Sequence, residues 1–424
     1  MLMSLDYKKT ITISIFAVSV FLFFSAMACS GEQNSNPLTV DDCLSLARKN
    51  NETVQIQFRK ITQAEHRISQ ASGAALPNLS VTYQKYFRDT ANDAVSGSGT
   101  DSKFYAEEAL YNGSRIQKGI ELSMSDKRIA DLQLQDITRK LDSDVASAFY
   151  ALAQAESDYR NIGETLGIMT DRKTELSERV RLGKSRESEL YMLESQIAIL
   201  LSDLRKISGD RAKSLESLSF LISVGTPSII ISDTAPEPLF AEPTDKLIRN
   251  SLSRSDVEAA KESVAGQSLR LKMAKGAYFP TFDVNSSWYL ARSGSPTDLK
   301  WDVYLMLNAP IYQGGIAKAR VKEESSKLEE SKEYSSLVKR ELETEIRQLC
   351  SLLESSIAQV SALRDAYGKA RKSYDLQLND YRLGLVNNLD VIQATLTLLD
   401  VKSRLDCAVL QSKLDKSLLD IAVK

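Results

Sequence analysis

Three short segments of this 424-residue chain recur in order about 200 residues apart, and no other feature limits its fold so sharply. Ala75-Leu76-Pro77-Asn78-Leu79 corresponds to Tyr278-Phe279-Pro280-Thr281-Phe282, at an offset of 203. Leu110-Tyr111-Asn112-Gly113 corresponds to Ile311-Tyr312-Gln313-Gly314, and Arg181-Leu182-Gly183 to Arg382-Leu383-Gly384, both at 201. Ordered matches at a nearly constant offset mean two copies of one unit. The join is TPSIIISDTAPEPLFAEPTD, with prolines at 227, 236, 238 and 243, and no helix survives that density of proline. The expected organisation is therefore a first repeat over 39–225, a Pro-rich linker over 226–244 and a second repeat over 245–424.

Each unit reads alike. A helix (39–75 or 245–277) runs to a proline, then two short strands flank a polar loop, with hairpins expected at 79–111 and 282–310. A long helix follows to the Arg-Leu-Gly break near 183 or 384, and another returns from it. The long helices carry only a narrow apolar stripe. From Leu342 it passes through Ile346, Leu349, Leu353, Ser356, Val360, Leu363, Tyr367 and Ala370 to Tyr374. Steps alternating between four and three make a coiled-coil seam. A helix over 315–383 would be about 100 Å long at 1.5 Å per residue. The shorter helices, stacked end to end in pairs, match that length. The fold class expected is mainly α with a small β part, built on duplicated long helical hairpins.

The strands alternate. Phe282, Val284, Ser286, Trp288 and Leu290 share one face of 282–290, and Trp301, Val303, Leu305, Leu307 and Ala309 one face of 301–309. Period two gives one apolar and one polar face. About ten residues is also the length of a tilted strand that crosses a bilayer. The first repeat is less regular: Lys85 falls on the face of Val81 and Tyr83, and Glu107 and Glu108 are adjacent, so these strands are expected to be shorter, shifted or bulged. Four strands cannot close a barrel, and an open edge is not tolerated in lipid. The strands therefore belong to an oligomeric barrel or do not cross a membrane; three copies would supply twelve.

Composition excludes other classes. Net charge is −2, so no basic surface points to nucleic acid. The single histidine, His66, has no His or Cys beside it, which argues against a catalytic zinc site. No internal apolar run reaches eighteen residues, which excludes a multi-span helical membrane protein. No P-loop, nucleophile elbow or metal cluster is visible, so neither an enzyme nor a cofactor is expected. Lys8 and Lys9 before the apolar stretch Ile11–Phe24 and the small residues up to Ala28 read as a signal peptide over 1–28. Cleavage there would leave Cys29 at the head of a tether, 29–38, as in a lipid-anchored protein; an uncleaved anchor helix is the other reading. Cys43, Cys350 and Cys407 lie in helical patterns and read as buried thiols.

In the order and spacing of PIYQGG (310–315), YRLGLVNNLDVIQA (381–394) and the helix-stopping prolines, the chain from about Leu38 to Lys424 resembles the TolC-like outer membrane efflux proteins. The resemblance implies a homotrimer in the outer membrane of a Gram-negative-type bacterium, with a twelve-stranded transmembrane β-barrel and a periplasmic α-barrel tunnel. It implies an exit duct of a tripartite efflux or type I secretion system, served by a periplasmic adaptor and an inner-membrane transporter of RND, ABC or MFS type. Leu182, Gly183 and Lys184, with Leu383, Gly384 and Leu385, match the adaptor-binding tips, although Lys184 departs from the apolar-Gly-apolar pattern. Asp390 matches an acidic ring of the pore gate, and Gln393 stands where a second acid often sits. Three Asp390 carboxylates around a narrow axis would repel one another and attract cations. Tyr381 and Glu189 match a Tyr–acid link between hairpins, while Val386 occupies the place of a basic residue in that lock. The competing reading is a lipid-anchored coiled-coil structural or adhesive envelope protein without a pore. It explains the signal, Cys29 and the heptads, but neither the alternating strands nor the duplication.

Overall fold

The computed structural model describes residues 37–88, 97–226, 229–239, 243–293 and 298–424. The expected signal peptide, Cys29 and most of the tether lie outside these residues. Two short helices, α1 (Val40–Asn50) and α2 (Glu52–Gly73), lead into strands β1 (Asn78–Arg88) and β2 (Gly97–Asn112). The long α3 (Arg115–Arg181) and returning α4 (Glu187–Ile222) follow. The second half repeats this with α5 (Thr244–Ser251), α6 (Ser255–Gly276), β3 (Thr281–Ala291), β4 (Trp301–Asn308), α7 (Ile316–Arg382) and α8 (Asn388–Val423). Both long helices have 67 residues and both returning helices 36, so the helical hairpins repeat to the residue.

The core repeats too. Leu141, Val145, Phe149, Leu152 and Leu218 are buried together in the first half. Their images 201 residues on, Leu342, Ile346, Cys350, Leu353 and Leu419, form the second cluster. The coiled-coil seam is thus filled at Leu342, Ile346, Leu353, Ser356 and Val360. Leu349 lies at its margin, and Cys350 occupies the depth beside it. Each fully buried leucine contributes about 1.5–3 kcal/mol from apolar burial. A third cluster lies towards the Arg-Leu-Gly ends: Met169, Leu176, Leu193 and Ile392 tie α8 to the first hairpin.

Where one helix was expected before each β-hairpin, two are found. Asn51 breaks the first. Its backbone is extended, its side-chain oxygen caps α2 by accepting from the Thr53 N–H at 2.9 Å, and its amide donates to the Leu221 carbonyl at 3.0 Å. Arg254 stands at the corresponding break between α5 and α6. Its buried guanidinium reaches the Ala422 carbonyl at 3.1 Å, the position 201 residues after Leu221. Asp256 and Glu345 neutralise it at 2.6 and 2.8 Å. Two chemistries make one joint: a side chain at the break satisfies a carbonyl left open at the end of the returning helix. Residues 229–239 of the Pro-rich join are tied down by Asp233–Lys413 (2.7 Å) and Glu237–Arg364 (2.6 Å).

The four strands form one antiparallel sheet in the order β1-β2-β3-β4. β2 is longer than expected, at 16 residues, with register shifts between Ser102 and Lys103 and between Ala109 and Tyr111. Both glutamates are inside it. Glu107 pairs with Asn285, and Glu108 with Val284 on the apolar face near the helical end of the sheet. Lys85 stays on that face, its Nζ 5.4 Å from the Phe87 ring centroid. Leu79, Val81, Tyr83, Phe104, Trp288, Trp301, Val303 and Leu305 are all more than half exposed. The opposite face is polar and linked: Tyr105 donates to Asn285, Tyr289 donates to Asp302 at 3.1 Å, and Lys103 donates to Ser287 at 3.4 Å. An apolar exterior over a hydrogen-bonded polar face is the reverse of a water-soluble sheet.

Candidate functional site: the hairpin tips

Both hairpins turn by the same backbone device. Gly183 and Gly384 adopt φ +71° and +76°, the left-handed region that a Cβ penalises. At the first tip, Gly183 N–H donates to the Val180 carbonyl at 2.9 Å and Lys184 N–H to Arg179 at 2.8 Å. At the second, Gly384 donates to Tyr381 at 3.0 Å and Leu385 to Asp380 at 2.9 Å. Each is a Schellman closure, which satisfies the last carbonyls of the helix and reverses the chain in few residues. The closure leaves side chains outside. Leu182, Leu383 and Leu385 are 61, 74 and 71 % exposed, so the second tip presents two leucines and the first one leucine with Lys184.

The two tips restart differently. Asn387 caps α8: its side-chain oxygen accepts from Asp390 N–H at 3.1 Å, while the Asp390 carboxylate accepts from Asn387 N–H at 3.2 Å. In α4 the counterpart cap is Arg186, which makes no side-chain cap, and Glu189 stands where Asp390 does. Asp390 is thus a reciprocal cap as well as a charge, a local role that its three-residue spacing from Asn387 announces. With Gln377, Ser373 and the exposed Gln393, Asp390 lines a cleft of about 250 Å³ between α7 and α8.

Tyr381 is buried, 8 % exposed, and it joins the hairpins. Its hydroxyl accepts from Arg179 of α3. The guanidinium carbons of Arg179 and Arg172 lie 4.7 and 5.1 Å from its ring centroid. Glu189 is not its partner within the chain, where Tyr381 meets two arginines of α3, while residue 386 is Val. Arg172 and Arg179 are seven residues apart and so share a helix face. That spacing is visible in the sequence, but nothing in it pairs the face with Tyr381. On α8, Asn388 is 2 % exposed, and neither its amide nitrogen nor its oxygen has a hydrogen-bond partner.

Among the described residues no group of His, Cys, Asp and Glu is placed to hold a metal, and no helix is long and apolar enough to cross a membrane. Residues 248–416 match the family model described as outer membrane efflux protein. The chain is 21 % identical over 376 residues to the outer membrane protein TolC of Salmonella enteritidis, covering 81 % of this chain and 73 % of TolC. Its fold superposes on that of the channel CusC with a TM-score of 0.81 at 16 % identity, covering 91 % of each chain. The outer membrane channel CmeC of Campylobacter jejuni gives 0.80 at 15 %, covering 91 % of this chain and 85 % of CmeC. Duplicated hairpins, an inside-out sheet and these likenesses agree: residues 248–416 carry the outer membrane efflux protein pattern, and the chain as a whole has the fold of the TolC-like outer membrane channels.

Proposed function

We propose that this protein is the passive exit duct of a tripartite efflux or type I secretion system, lodged in the outer membrane with its helices in the periplasm. The observation that carries this reading is the sheet. Its exposed face is apolar, its other face is polar and hydrogen-bonded, and the two edge strands, β1 and β4, each leave their outer edge unpaired among the described residues. Such a sheet suits lipid on one side and a water-filled lumen on the other, and only closure by further copies removes its edges. TolC-family channels are trimeric, and three copies of this chain supply twelve strands and an α-barrel about 100 Å long. Transport here needs no covalent step. The energy comes from the inner-membrane transporter, and the duct offers a continuous aqueous path. The exposed leucines of the tips, with Gly183 and Gly384, are the adaptor-docking surface in this reading; Tyr381 with Arg179, and Asp390 with Gln393, hold and line the closed end. Signal cleavage after Ala28 and acylation of Cys29 would add a lipid tether.

Planar-bilayer recording of the mature protein tests the reading. Discrete channels blocked by divalent cations are expected, with block weakened in Asp390→Ala. An envelope rod without a pore gives no conductance at all. Channels whose block is unchanged in the variant would remove Asp390 from the gate and leave the duct standing.

A further inference from the structure

Within the chain, the first repeat grips the second along one seam. α3 packs against α6, as β2 pairs with β3 above them. The seam closes on two glycines. A Cβ on Gly113, after β2, would stand 2.3 Å from the carbonyl oxygen of Gly276 at the end of α6, and one on Gly276 would stand 2.6 Å from that of Gly113. Lower down, Arg128 of α3 binds Glu262 of α6 at 2.6 Å.

The repeat demands the same seam once more, between α7 and α2 and between β4 and β1. Within one chain it is not made: β4 and β1 are opposite edges of the sheet, and α7 and α2 have no packing of that extent among the described residues. The residues for it are nonetheless present. The counterparts of Gly113 and Gly276, at 201 and 203 residues' offset, are Gly314 and Gly73. Both are glycine, both are exposed, and neither has any atom within 4 Å of where a Cβ would be. Gly314 shares the positive φ of Gly113, +58° against +67°. The counterparts of Arg128 and Glu262 are Glu329 and Arg59, a pair of reversed sign that keeps the attraction; both are exposed, and within its own helix Glu329 also meets Lys332 at 2.9 Å. Ser125, fully buried at the internal seam, becomes the exposed Ser326. One weaker contact has no attractive image: Asp126–Arg270 (3.7 Å) becomes Lys327 and Arg67, and Lys327 is already held by Glu323 and Glu324 at 2.6 and 3.0 Å.

We infer that α7 of one copy docks on α2 of a second copy of this chain. Gly314 and Gly73 make the close backbone approach, and Glu329 binds Arg59. This contact rests on the duct reading and specifies it, since it names the side chains that join neighbouring copies outside the membrane. Gly73 has no structural need to be glycine inside its own chain, where a side chain would meet open space; the neighbouring copy supplies the need.

The test is native mass spectrometry of the full-length protein in detergent. Arg59→Glu and Glu329→Arg should each raise the dissociated fraction roughly threefold, as expected of an exposed ion pair. The double reversal R59E/E329R should restore the original distribution. Gly73→Leu should abolish assembly while far-ultraviolet circular dichroism stays that of the unaltered chain. Oligomers that persist through Gly73→Leu, or a double reversal that restores nothing, overturn the contact and leave the duct in place. A chain that never associates overturns both.

Discussion

Tyr381 is held by three interactions at once, a hydrogen bond and two guanidinium faces, all from the other hairpin. Each stacked cation contributes about 0.5–2 kcal/mol and the hydrogen bond about 0.5–1.5 kcal/mol. Tyr381→Leu should therefore loosen the end of the second hairpin by about 2–3 kcal/mol. Hydrogen exchange should quicken in residues near the tips while the clusters around Leu152 and Leu353 stay protected; unchanged exchange at the tips would show that the lock lies elsewhere. The thiols offer a second residue-scale test. Burial, reinforced by Asp42, pushes Cys43 up to about 12, and burial with Asp158 at 3.4 Å pushes Cys407 up to about 12. Since the thiolate is the reactive form, iodoacetamide at pH 8 should leave both intact in the folded protein and label both in urea. Labelling of either without denaturant would mean that its helix opens readily. Tyr381 as a linking position follows from the family resemblance; Arg172 and Arg179 do not, because the pairing spans about 200 residues.

Among the elements, one of the two joints that break the helices leading into the sheet responds to pH. Burial acts to raise the Asp256 carboxyl, but bonds from Arg254 and the nearby charge of Arg139 outweigh it and hold the group below its ordinary value. A depressed acid stabilises the fold above its unfolded value, near 3.9, and that contribution is lost as pH falls through the lower folded value. The joint between α5 and α6 should thus loosen below about pH 4. The joint at Asn51 is held through a neutral amide and has no such term. Arg254→Met, which removes the partner of two half-buried carboxylates, should lower the melting temperature and weaken this pH dependence for Asp256. Calorimetry between pH 3 and 7 measures both, and an unshifted acid limb would show that the pair is not coupled to folding. Both breaks escaped the helical pattern because Asn51 and Arg254 are ordinary polar residues in an unbroken periodicity. Only the carbonyl each one satisfies, Leu221 or Ala422, makes it a joint.

The whole molecule is divided by what surrounds it. Its helical part buries narrow seams in water, and its sheet turns apolar side chains outward. Leu305, 74 % exposed in mid-strand, should face lipid. Leu305→Arg should cost about 2–4 kcal/mol of membrane insertion if the residue sits near the bilayer midplane. Outer-membrane fractionation should show less inserted protein with helical content unchanged, whereas normal insertion would place this strand away from lipid. The duplication, the seam, the lengths of the long helices and the alternation of β3 and β4 are all legible in the amino-acid order, because periodicity and proline act over a few residues. Glycine at 183 and 384 likewise announces the reversals, since only a residue without Cβ takes φ near +70° without strain. Three matters were decided only in three dimensions: the bulged register that accommodates Glu107 and Glu108, the arginines that clasp Tyr381, and the pairing of first repeat to second through Gly113 and Gly276. Each depends on which distant surfaces meet, and a local pattern, however regular, carries no record of its partner.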